Sequence, residues 1–88
     1  MEKEAQLNIK LSQFALAHAQ FTKILAQQPE NDSIRFWCAY SLFMTNKLDR
    51  SKYGYLQQQI QILHRNGYQH PNLTEMQEFL VSELSAFQ

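Results

Sequence analysis

The sequence predicts an all-α fold, and three observations carry that prediction. Its 88 residues include only two glycines and two prolines, too few to turn the corners of a sheet. Three of those four sit where the apolar pattern breaks, and between the breaks large apolar residues recur at three- and four-residue intervals. About five helices follow, arranged as stacked antiparallel hairpins closed by a C-terminal capping helix.

The first helix is expected over residues 2–11, where Ala5, Leu7, Ile9 and Leu11 are too mixed to fix a buried face. The second runs from Phe14 to Gln27, with Phe14, Ala17, Phe21, Ile24 and Leu25 on one stripe. Pro29 then disfavours helix at the residue before it. Asp32 is the expected N-cap of a third helix ending near Thr45, since its carboxylate can accept from the unpaired first-turn amides. Phe36, Trp37, Tyr40, Phe43 and Met44 make this the most apolar helix. A turn at Asn46-Lys47 leads to a fourth helix over 49–65, buried along Leu48, Tyr55, Leu56, Ile60 and Leu63, with Gln57, Gln58, Gln59 and Gln61 mostly on its wet side. Asn66-Gly67 stops it, because both residues tolerate the left-handed conformation after a C-cap. His70-Pro71 forms a connector. Asn72 with Glu75 three residues on reads as a capping box opening a fifth helix over 72–87, with stripe Leu73, Met76, Leu80, Leu84 and Phe87 and only the acids Glu75, Glu78 and Glu83 for charge.

Composition narrows the function. Eight basic and eight acidic residues cancel, so the diffuse positive field that binds phosphate backbones is missing and nucleic acid is not the expected partner. One cysteine, Cys38, cannot form an internal disulfide and sits among apolar neighbours, which suits a reducing, cytoplasmic compartment. The first residues lack the basic-then-apolar layout of a secretory signal. No apolar run approaches the roughly 20 residues that span a bilayer, so membrane insertion is not expected. Without export, the triplets Asn31-Asp32-Ser33 and Asn72-Leu73-Thr74 are chance glycosylation matches.

Between Ser12 and Asn31 a small residue and an aromatic at the turn are followed by Ala17, Phe21 and Pro29. This segment resembles the second half of a tetratricopeptide repeat, whose period is about 34 residues. In the next unit Ala39, Asn46, Ser51 and Tyr55 fall at the small, turn, alanine and aromatic positions, giving repeat-like units over 1–31 and 32–66 in a single domain. The family's tryptophan, a proline closing the second unit and a third unit in register are missing. Cys38-Ala39-Tyr40-Ser41-Leu42, with the polar fourth helix and acidic fifth helix, is further similar to the small tetratricopeptide-type chaperones of type III secretion needle subunits.

By that resemblance the inner face of the third helix carries Ser33, Phe36, Tyr40, Phe43 and Met44. Of these, Phe36, Tyr40, Phe43 and Met44 are the expected partner-binding residues. An inner face so apolar implies a bound amphipathic helix, here that of a needle subunit; the competing reading is that the stripe is core, packed on the fifth helix. Trp37, about 100 degrees around the helix from Phe36, is expected in the core. On the fifth helix, Leu73, Met76, Leu80 and Leu84 either seal the stack or dock a second small helical subunit, a co-chaperone.

No catalytic site is expected, and no cofactor. His18, His64 and His70 stand at no ligand spacing, Cys38 has no sequence neighbour able to activate it, glycine-rich phosphate loops are missing, and the carboxylates are scattered. Lys47, Arg50, Lys52 and Arg65 bias the fourth helix positive against the acidic fifth, either as a solvated surface or to orient a partner. The function expected is therefore a cytoplasmic binding protein or chaperone, covering a helix of a self-assembling subunit until export. The alternative is a self-associating structural or regulatory helical protein, a homodimer through the third helix.

Overall fold

Pro29 and the polar residues around it divide the two most apolar helices, and the division falls where the periodicity placed it. The computed structural model describes residues 2–45 and 49–85. Its helices are α1 (Glu2–Lys10), α2 (Phe14–Gln27), α3 (Asp32–Thr45), α4 (Tyr53–Arg65) and α5 (Pro71–Ser85), with a single 3-10 turn, Arg50–Lys52, entering α4. The fold is all-α. The expected turn at Asn46-Lys47 and the residues Leu48 and Phe87 lie outside the described residues.

Local chemistry explains the ends. At the close of α1, Ser12 N–H donates to the Ile9 carbonyl and Gln13 N–H to that of Asn8. Gly67 and Tyr68 repeat the pattern after α4 on His64 and Leu63, the paired closure of a Schellman motif. Both motifs need a left-handed residue: Gly67 takes φ +78° freely, whereas Ser12 adopts φ +59° against the Cβ penalty of that region.

Two expected caps move by a residue or two. Asn31, not Asp32, caps α3: its Oδ1 accepts from Ile34 N–H at 3.3 Å, the third-residue amide that an N-cap reaches. Asp32, now inside the helix, accepts from Asn66 Nδ2 at 3.0 Å and so ties α3 to the end of α4. The expected capping box on Asn72 is replaced by His70, whose Nδ1 accepts from Asn72 N–H at 3.1 Å. Pro71 then occupies the first helical position, where a missing N–H costs nothing. Before α4, Asp49 accepts from both the amide and hydroxyl of Ser51.

Packing is organised by α3, which separates two apolar clusters. On one side Ile34 and Cys38 meet Ala5 of α1 and Ala17, Phe21 and Ile24 of α2. On the other, Phe36, Ala39, Leu42 and Phe43 meet Tyr53, Leu56, Ile60 and Leu63 of α4 and Leu73, Met76 and Leu80 of α5. Trp37 packs against both clusters, its ring stacked on Phe21 at 6.5 Å and edge-on to Phe36 at 4.9 Å. The α5 stripe thus seals the stack. Leu73, Met76 and Leu80 are spent inside the chain, so the second-subunit docking expected of them has no surface to act from; Leu84 is partly buried, and Val81 beside it is exposed. Tyr55, expected on the buried side of α4, is 40% exposed.

Candidate functional site

Among the described residues, three sides of α3 are covered and the fourth is covered only in part. Ile34 and Cys38 face the α1–α2 cluster, and Phe36, Ala39, Leu42 and Phe43 the α4–α5 cluster. Arg35 turns to α4, where it donates to Gln59 Oε1, and back to the Pro29 carbonyl at 2.8 Å. Ser33, Trp37, Tyr40 and Met44 remain, at spacings of four, three and four that hold them on one stripe. Ser33 is exposed and the other three partly buried.

The expected partner stripe is therefore split. Phe36 and Phe43 are 0% exposed and belong to the core against α4 and α5, as the competing sequence reading had it. Tyr40 and Met44 stay on the open side, and Trp37, expected in the core, joins them there. The cause is the adjacency of two apolar stripes on one helix. Residues 36 and 43 differ from 37, 40 and 44 by no more than about a third of a turn, and the approach of α4 and α5 decides which stripe is covered.

Tyr40 sits at the middle of this face, with Phe14 of α2 edge-on at 6.3 Å, Phe36 stacked beneath at 5.8 Å and Trp37 edge-on at 5.9 Å. Burial, reinforced by the negative charge of Glu75 on α5, pushes its hydroxyl above the usual phenol range. Toward the N-terminal end of α3, the His70 ring lies 4.3 Å from Phe36 and 5.4 Å from Trp37. These ring contacts join α2, α3 and the loop before α5 along the open side of α3.

A second constellation lies between α2 and α3, where no spacing of residues along the chain points to it. His18 Nδ1 is 2.9 Å from the Cys38 carbonyl and 3.7 Å from its sulfur; the Thr22 hydroxyl lies 3.4 Å from that sulfur while donating to the His18 carbonyl at 2.7 Å. A carbonyl can only accept, so the geometry assigns the proton to Nδ1. Burial raises the Cys38 thiol, but the bonds to His18 and Thr22 outweigh it and hold the thiol below its ordinary value. His18 is held above its ordinary value, chiefly by the same sulfur contact against the opposing effect of burial. The expectation that Cys38 has no base beside it is corrected by the packing of α2 on α3, which brings residues 20 apart in sequence together. Cys38 is 1% exposed, so the pair reads as a polar clasp between helices.

That clasp has a pH signature. A folded-state pKa above the unfolded value of 6.5 makes protonation favour the native state. The His18 contribution is complete below pH 6.5 and fades as pH rises through the higher folded value. Replacing His18 with Gln, which keeps a donor for the Cys38 carbonyl, should flatten the pH dependence of the denaturation midpoint on the neutral side. An unchanged slope in His18→Gln would show that His18 does not couple to folding.

Fold and exposure together define a small all-helical protein whose central helix keeps, among the described residues, a partly uncovered aromatic stripe. No known protein family, curated protein or solved structure matches the chain. Among the described residues no three metal-binding side chains gather, and no helix is long and apolar enough to cross a membrane.

Proposed function

We propose that the chain is a binding protein that takes the apolar face of a partner protein's amphipathic helix along the open side of α3. The observation that carries this reading is the stripe Trp37, Tyr40 and Met44, left partly uncovered while apolar neighbours on both sides are closed off. Its spacing is that of a helix-in-groove contact, and its aromatic and methionine content suits adaptable helix recognition. The sequence resemblance supports a narrower form: a cytoplasmic, virulence-associated chaperone of a type III secretion needle subunit. It would act sterically, since a subunit whose adhesive helix is covered cannot polymerise before export. A small helical co-chaperone would then meet α5 at Val81 and Leu84.

The chain has one tryptophan, and it lies in the groove. Affinity purification from native cells of the wild type and of a Tyr40→Asp, Met44→Asp variant should recover a stoichiometric helical partner with the first and lose it with the second. Trp37 emission in the recovered complex should be shielded from acrylamide. A partner retained by the variant, or quenching no different from the free chain, removes the groove from the account.

A further inference from the structure

Among the described residues, the charge beside the open side of α3 on α5 is one-sided. Ser33, Trp37, Tyr40 and Met44 carry none, and among the described residues the charged group that acts on the Tyr40 hydroxyl is Glu75 of α5. Glu75 is exposed. The rest of α5 adds Glu78 and Glu83 and no lysine or arginine. Two of the cations of the neighbouring elements act elsewhere: Arg35 is bound to Gln59 and Pro29 and bears on Tyr55, while Lys52 bears on His18. Arg35 lies about 200 degrees around α3 from Trp37, on the side that α4 covers. An apolar aromatic floor therefore runs beside a helix whose charged residues are all acidic.

From this juxtaposition we infer that the groove selects a basic amphipathic helix. Such a helix has large apolar residues at i, i+3 or i+4, and i+7, with lysine or arginine along the flank that meets α5. A long basic side chain suits the position: its stem covers the aromatic surface of Tyr40 while its head reaches the Glu75 carboxylate. Like charge on that flank would instead bring carboxylates together over a partly desolvated ring, which is how charge at an interface discriminates between partners of similar hydrophobicity. The inference rests on the groove reading above and adds the sign of the partner's charge.

The full-length chain can be titrated at low salt with two synthetic helical peptides that lack tryptophan and share one leucine stripe. One carries lysine along the flank and the other glutamate, and Trp37 emission reports binding. The lysine peptide should bind about tenfold more tightly, with the gap closing as salt rises. Glu75→Gln should weaken the lysine peptide about threefold and leave the far-ultraviolet spectrum unchanged, the scale of an exposed charge pair. Tyr40→Asp should weaken both peptides. Equal affinity for the two peptides, or a Glu75→Gln variant that binds the lysine peptide as the wild type does, overturns the charge selection and leaves the groove. If neither peptide shifts Trp37 emission, both the selection and the groove fail.

Discussion

Truncating Phe36 to alanine is expected to cost about 3–5 kcal/mol of stability, the range for removing a buried phenylalanine. The ring is fully buried and touches Trp37, Tyr40, Tyr68 and His70, so its loss opens a cavity between the central helix and the loop that launches α5. Refilling is hindered because those neighbours are held by other bonds and rings, His70 by its cap on Asn72. A chain of this size has only about 5–15 kcal/mol in all, and the variant would fall near the edge of folding at room temperature. Urea denaturation followed by circular dichroism measures it. A loss below about 1 kcal/mol would mean that Phe36 is not part of a packed core, and the division of α3 into a covered and an open stripe would fail with it.

That division separates what the residues reveal from what they do not. The limits of α2 and α3 are legible because Pro29 interrupts two strongly periodic segments, and the structure keeps Phe14–Gln27 and Asp32–Thr45 as the periodicity has them. The buried stripe of α5 is legible too: of the expected Leu73, Met76, Leu80 and Leu84, the first three are buried and Leu84 is partly so. On α3, however, large apolar residues extend over both the stripe of Phe36 and Phe43 and the stripe of Trp37, Tyr40 and Met44. Amphipathic periodicity fixes a direction only when the opposite face is polar; here it returns a broad arc, and tertiary packing chooses within it.

The polar contacts were illegible for a different reason. The bonds of His18 and Thr22 to Cys38, and of Asp32 to Asn66, each depend on the register between two helices, which nothing local specifies. The caps lie between these extremes. Asn31 and Asp32 are adjacent and equally able to cap, and the structure uses both, one for the amides of its own helix and the other for α4. His70 as a cap has a weaker sequence signal, because histidine accepts only through an unprotonated ring nitrogen; the proline after it was the available clue.

The sharpest contrast lies in two substitutions three residues apart. Phe43→Asp is expected to abolish the cooperative fold. The side chain is 0% exposed, with Phe79 edge-on at 5.2 Å, and an unpaired carboxylate at that site costs several kcal/mol beyond the lost ring. Tyr40→Asp removes a ring that is only partly buried and leaves the new carboxylate at the open side, where water solvates it, although Glu75 repels it. About 1–3 kcal/mol is the expected cost, as for most point substitutions, and the helical spectrum should survive. The pair is read by circular dichroism and by the sharpness of urea unfolding, with partner or peptide binding measured only on the variant that folds. A Phe43→Asp chain as stable as the wild type would put the covered stripe on the surface. A Tyr40→Asp chain that unfolds would make the residue core and leave no open face on α3 for a partner. The expected result separates the two roles that one apolar helix combines: the ring at 43 is needed for the protein to exist as a folded chain, and the ring at 40 is what that folded chain offers to another.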